Sequence, residues 1–173
     1  MQKITTFSTL LLVVFFSTTY AQLPYYTGFD NTAQQAGWAE YKKGVTTSAD
    51  WSYSSFTSYS TPNCLYKNYT PGVTGVTDDW FVSPAFTIPT GGKMDSIRYA
   101  FSGFSVPGAG DTIALYLLNG SQNPSLASSK TLLFDFRNTE YVTDNTYRIK
   151  SNINLSASSG QSYFAIRYRN AVT

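Results

Sequence analysis

Large apolar side chains occupy every second position in several segments of the later part of the chain. The clearest examples are 97–101, 113–117, 132–136 and 164–168, in which polar residues stand between the apolar ones. A period of two is typical of antiparallel strands that turn one face to the core and the other to water. Turn signals separate these segments at 107–110, 119–120, 123–124 and 158–160. The pattern therefore predicts a series of half-buried antiparallel strands.

The first half of the chain is less regular, but it also indicates strands. Short runs rich in aromatic and apolar residues lie between polar loops at 38–41, 51–53, 64–66 and 80–82. One helical turn is predicted from Asn31 to Ala36, because Asn31 suits an N-cap and Gly37 suits a helix end. About ten short strands with turn-rich connections favour an all-β, two-sheet antiparallel β-sandwich. Alternation alone leaves jelly-roll and immunoglobulin-like topologies both open.

The N-terminus has the pattern of a secretory signal peptide. Lys3 carries a positive charge, an apolar run is densest from Leu10 to Phe16, and Ala21 ends a small-x-small cleavage site. The run is short for a bilayer span and no second long one follows, so we expect no transmembrane segment. The expected organisation is a signal peptide over 1–21 and one domain over 22–173, secreted or displayed at the cell surface.

The residue types present exclude several kinds of chemistry. The chain has no histidine, which removes Ser-His-Asp catalysis and histidine-ligated zinc, copper or iron. Its formal net charge of +2 is too small to indicate a basic surface for nucleic acid, so no nucleic-acid partner is expected. The single cysteine, Cys64, cannot form an internal disulfide and is expected to be a small buried residue. Carboxylates, tyrosines and hard-cation sites remain.

Two adjacent carboxylates, Asp78 and Asp79, precede a run of bulky residues at 80–82. Neighbouring residues of a strand point to opposite faces, whereas a general acid and base must converge on one substrate atom. We therefore expect these carboxylates to begin a core strand and to bond free backbone amides there, without acting as a catalytic pair. Trp80 and Val82 are predicted on one face of this strand and Phe81 on the other.

The order of the motifs resembles that of the cleaved-adhesin and choice-of-anchor J domains of secreted bacterial surface proteins, which are related to MAM-type jelly rolls. The resemblance covers nearly all of 24–170 and rests on motifs at 29–38, 50–52, 78–84, 111–117, 154–160 and 163–168. The most specific of these is the acid–Trp–apolar–apolar–Ser–Pro run at 79–84. The resemblance implies a jelly-roll type of sandwich.

Two departures from the family pattern carry further expectations. The family has a final strand that would follow Thr173, so the sandwich is expected to lack its last strand and to have an open edge near Phe164–Tyr168. In related jelly rolls, an acid at the position of Asp30, usually Glu, is a calcium ligand. The resemblance therefore implies Ca²⁺ as a structural cofactor with Asp30 as a ligand, in a site altered by the shorter side chain.

The leading functional hypothesis is a secreted or surface-displayed adhesion module that binds a glycan or an extracellular protein. The alternatives are an accessory carbohydrate-binding domain of a secreted hydrolase and, third, a jelly-roll glycosidase. A glycosidase needs two carboxyl groups facing each other across a cleft, and nothing in the sequence brings Glu40 and Glu140 together. We therefore expect a protein that binds and is not an enzyme.

Aromatic side chains are the expected contacts with the ligand. The chain has 14 tyrosines, and many of them suit strand positions at the rim of a sandwich. Phe56 and Tyr59 differ from these, because they lie in a Ser- and Thr-rich stretch without a strand period. We predict these two as ligand-binding residues, and we predict Trp51 and Tyr53 in the core.

Overall fold

In a computed structural model of the chain, residues 25–56, 58–69, 72–102, 110–137, 142–158 and 160–172 are described. The expected signal peptide and Glu140 lie outside these residues. The described elements are one short helix and nine strands: α1 Thr32–Gln35, β1 Ala39–Lys42, β2 Trp51–Ser54, β3 Cys64–Lys67, β4 Gly75–Val82, β5 Lys93–Tyr99, β6 Thr112–Asn119, β7 Ser129–Asp135, β8 Arg148–Asn154 and β9 Ser162–Val172. The helix begins as predicted, since the side chain of Asn31 accepts a hydrogen bond from the backbone of Gln34.

Five antiparallel strands form the main sheet, in the order β1-β4-β9-β6-β7. Strand β9 lies at its centre and pairs with β4 on one side and β6 on the other. The expected open edge near Phe164–Tyr168 is therefore wrong: Phe164 faces Leu117 of β6, and Ile166 lies between Phe81 of β4 and Leu115 of β6. The edges of this sheet are β1 and β7.

Two two-stranded sheets, the β2–β3 hairpin and the β5–β8 pair, cover one face of the main sheet. Tyr99 of β5 and Ile153 of β8 pack in one apolar cluster with Leu115, Leu117 and Phe164 of the main sheet. The hairpin reaches the same face through Trp51, whose ring lies 5.8 Å from that of Phe81. These layers confirm the all-β sandwich, while a jelly-roll connection of the strands stays a prediction.

The inward positions of β6 and β9 follow the predicted alternation, and so do Phe134 and Phe136 near the end of β7, whereas Leu132 does not. Leu132, Phe134 and Phe136 were expected on one face. The pairing of β6 with β7 shifts between Leu115 and Tyr116, so that Leu133 has no partner opposite it. One extra residue reverses the alternation, so this β-bulge turns Leu132 to the face opposite to the one predicted. Leu133 packs against the core, and Leu132 is 51% exposed.

The opposite face of the main sheet is buried in part. Trp80, Val82 and Leu118 form a second apolar cluster there, as the alternation predicts for Trp80 and Val82. The connection between β6 and β7 lies beside this face, where the side-chain amide of Gln122 donates to the carbonyl oxygens of Val82 and Ser83. Within the described part of the chain, no helix has the length and apolar character needed to cross a membrane.

Candidate binding site

The two adjacent carboxylates lie inside β4 and point to opposite faces of the main sheet. The expectation that they begin the strand is wrong, because β4 already starts at Gly75. Asp78 receives two hydrogen bonds of 2.8 Å from the guanidinium of Arg167, which also lies 4.9 Å from the Trp80 ring. The carboxylates are thus bound by side chains, and not by free backbone amides at a strand end. Each belongs to a separate face, as predicted.

Asp79 is completely buried between the main sheet and the β2–β3 hairpin. Its Oδ2 lies 2.5 Å from Lys67 Nζ and accepts a hydrogen bond of 2.8 Å from the Ser48 hydroxyl. Glu40 of β1 completes the group, since its Oε1 lies 3.8 Å from the same Nζ. Glu40, Lys67 and Asp79 are called the buried triad below. The sequence indicated none of these contacts, because the three residues belong to three different strands.

The surroundings of the buried triad are largely apolar. The Lys67 side chain is 5% exposed, and its Nζ lies 5.6 Å from the centre of the Trp51 ring and 5.7 Å from that of Tyr168. Burial raises the pKa of the Glu40 carboxyl, and the positive charge of Lys67 offsets part of this increase. Burial also raises the pKa of Tyr168 to about 12. The triad therefore lies in a place from which most water is excluded.

A small crevice lies beside the triad. Its volume is about 10 Å³, and it is lined by Ser48, Lys67, Asn68, Tyr69, Val73, Thr77, Tyr168 and Asn170. That space holds about one water molecule, whereas small-molecule sites usually have volumes of several hundred Å³. The crevice is thus too small for a saccharide, so a ligand of that size would have to contact exposed surfaces.

The β2–β3 hairpin is held on the main sheet by an aromatic cluster around Phe81. The Trp38 ring stacks on Phe81 at 5.1 Å, and Trp51 and Tyr53 of the hairpin lie 5.8 and 6.2 Å from it. Trp51 is half-buried, in line with the prediction, but Tyr53 lies at the rim with more than a third of its surface exposed. The cluster fixes the base of the loop that carries Phe56 and Tyr59.

Both predicted ligand-binding residues are exposed. Phe56 has 92% of its surface exposed, and its backbone N–H donates to the Ser54 hydroxyl at the end of β2. Tyr59 is 55% exposed, yet its ring is held in place on two sides. The Arg98 guanidinium lies 4.3 Å from the centre of the ring, and the Tyr147 ring meets it edge to face at 5.4 Å.

These contacts place Tyr59 on the outer side of the second layer. Arg98 alternates with Ile97 and Tyr99, which pack in the core, so Arg98 points away from the core. Ile149 pairs with Arg98 in the neighbouring strand and is half exposed. We call the exposed residues Phe56, Tyr59, Arg98 and Ile149, together with the half-buried Tyr147, the outer aromatic surface.

The outer aromatic surface borders the single cysteine. Cys64 is half-buried and not fully buried as expected, and its thiol donates to the Ser54 carbonyl oxygen at 3.4 Å. Burial, together with the nearby thiol, raises the pKa of Tyr147 to about 12. Tyr147 is therefore a neutral phenol at neutral pH. The outward position of Arg98 follows from the alternation in 97–101, but no sequence signal brought Tyr147 to Tyr59.

The predicted calcium ligand Asp30 bonds to protein groups. Its carboxylate accepts hydrogen bonds from the Asn63 backbone N–H at 3.3 Å and from the Ser60 hydroxyl at 3.4 Å. Ca²⁺ takes about 6–8 oxygen ligands, and in the described part of the chain no three acidic, cysteine or histidine side chains gather as metal ligands. The calcium site at Asp30 therefore stays a prediction.

A scan against family models, a search of curated proteins and a search of solved structures each find no match to this chain.

Proposed function

We propose that the protein is a secreted or surface-displayed binding module whose outer aromatic surface contacts a saccharide. The observation that carries the proposal is the position of Tyr59, which is more than half exposed and is nevertheless held by Arg98 and Tyr147. A ring fixed in this way loses little side-chain freedom when a ligand binds, so less of the binding energy is spent on ordering it.

The chemistry of the surface suits a sugar. Aromatic rings have a negative face, which attracts the slightly positive C–H groups on the flat side of a sugar ring. Phe56 and Tyr59 provide two such rings within one loop, and Arg98 adds donors in a planar fork for ligand hydroxyl or acidic oxygens.

The acidic side chains support binding over catalysis. Most of the described aspartates are engaged by cations: Asp50 with Lys42, Asp78 with Arg167, Asp79 with Lys67, Asp95 with Lys93, Asp135 with Arg137 and Asp144 with Arg148. A hydrolase of the glycosidase type needs two carboxyl groups that face one substrate atom. The proposed module therefore has no hydrolytic activity.

The test is a screen of immobilised glycans and extracellular proteins, run beside a panel of glycosidase and esterase substrates. We expect a glycan to bind, and we expect Tyr59→Ala to weaken this binding by about tenfold or more, a loss of ~1.4 kcal/mol. Leu132→Ala is the matched control, because Leu132 is exposed on the opposite layer. Binding only to a protein, equal binding by all variants, or turnover that disappears in Asp79→Asn would refute the proposal.

A further inference from the structure

The buried triad brings together an amine and two carboxyl groups from both layers of the sandwich. Lys67 reaches Asp79 and Glu40 from the β2–β3 hairpin, and the two acids lie on neighbouring strands of the main sheet. Glu40 pairs with Phe81, two positions along β4 from Asp79, so both acids project from the same face. An amine in contact with a carboxyl group can form an amide, and a second carboxyl group beside them can transfer the protons.

We propose that Lys67 and Asp79 form an intramolecular isopeptide bond and that Glu40 transfers the protons. The uncharged Lys67 amine attacks Cγ of the protonated Asp79 carboxyl group, and a new N–C bond forms. Glu40 accepts a proton from Nζ and gives a proton to the departing hydroxyl, which leaves as water when the C–O bond breaks. The sum is an ammonium and a carboxylate converted to an amide and one water, with no oxidation and no further reactant.

Proximity and burial favour this reaction. Lys67 Nζ is in direct contact with the Asp79 carboxylate, and well-oriented groups reach effective concentrations of about 10⁵–10⁸ M. Asp79 is fully buried and Lys67 nearly so, and conversion of this pair to a neutral amide removes two buried charges. Exclusion of water also protects the amide from hydrolysis once it has formed.

Glu40 has the properties of a proton-transfer group. Burial raises the pKa of its carboxyl, which brings this pKa closer to neutral pH, where general acids and bases work best. In addition, Oε1 of Glu40 and Oδ1 of Asp79 are buried without a hydrogen-bond donor among the described residues. An ordinary ion pair leaves both of these buried acceptors unsatisfied, which costs free energy.

The product would tie the two layers together. An amide between Lys67 of β3 and Asp79 of β4 links the hairpin that bears Phe56 and Tyr59 to the main sheet. It also replaces a buried ion pair by a neutral group. The inference does not rest on the proposed saccharide binding, since it concerns residues on the inner side of the hairpin.

The experiment is mass spectrometry of the purified full chain after denaturation and proteolysis. We expect a cross-linked pair of peptides, one with Lys67 and one with Asp79, whose mass is one water less than the sum of the two. Glu40→Gln should yield the two peptides unlinked. Lys42→Arg is the control, because Lys42 pairs with Asp50 beside the triad and should leave the cross-link intact.

Two results would overturn the inference. Recovery of only unlinked peptides from natively folded wild-type protein would show that Lys67 and Asp79 form an ordinary ion pair. An undiminished cross-link in Glu40→Gln would remove Glu40 from the reaction. The wild-type digest decides the existence of the bond by itself, so a variant that fails to fold does not weaken the test.

Discussion

Replacing Phe81 by alanine tests how the hairpin is held on the main sheet. Phe81 is buried, and its ring contacts those of Trp38, Trp51 and Tyr53. Phe81→Ala leaves a space whose walls are large rings on two layers. Such rings cannot move inward without disturbing the strands that carry them, so we expect the cavity to collapse only in part.

The expected loss of stability follows from this geometry. Deleting a buried phenylalanine side chain typically costs about 3–5 kcal/mol, and poor collapse of the cavity moves the cost upward within this range. We therefore expect the free energy of unfolding to fall by about 4 kcal/mol, from a total that is usually about 5–15 kcal/mol. With a urea dependence of about 2 kcal/mol per M, the unfolding midpoint falls by about 2 M.

The assay is urea unfolding followed by tryptophan fluorescence, which reports on Trp38 and Trp51 next to the cavity. Phe56→Ala makes the same chemical change at a ring that is almost fully exposed, and its cost should stay within about 0.5 kcal/mol. A Phe81→Ala midpoint less than about 0.5 M below wild type would refute the reasoning. Equal losses in the two variants would do so as well.

Two further predictions concern β7 and its ion pair with Arg137. If the bulge turns Leu132 away from the core, Leu133→Ser should lower the free energy of unfolding by about 1–2 kcal/mol and Leu132→Ser by less than about 0.5 kcal/mol, and a reversed order in urea unfolding would place the bulge elsewhere. The side chain of Arg137 donates to Asp135 and lowers the pKa of that carboxyl. A lowered folded pKa gives stability that is present above the unfolded pKa of about 4 and is lost as pH falls through the folded value. Asp135→Asn should therefore reduce the drop in urea midpoint between about pH 7 and about pH 2, and an unchanged drop would show that the pair does not contribute.

Local features of the sequence predict most of the strands and the direction of their side chains. Alternation assigned the inward residues of β6 and β9, and the Asn31 cap placed the helix. Phe56 and Tyr59 were predicted as ligand contacts because their stretch has no strand period, and both are exposed. These features depend on neighbours in the chain, which is why they are visible without the fold.

Features that depend on strand order were not predictable in this way. The central position of β9 and the contact of Lys67 with Asp79 arise from which strands become neighbours. The partnership of Tyr59 with Tyr147 joins two loops that are distant in the chain. The bulge at Leu133 depends on the register of β7 against β6, and β7 contains no glycine or proline that would indicate a bulge.

The central place of β9 also constrains when the protein can fold. Strands β4 and β6 each bond to β9, the last strand of the described chain, and the paired side chains of Asp78 and Arg167 are 89 residues apart. Closing so long a loop costs conformational entropy before the stabilising contacts have formed, so folding dominated by such pairs is slow. A nascent chain that has not yet reached Ser162 leaves β4 and β6 without the strand between them, so the main sheet assembles only after β9 has been synthesised.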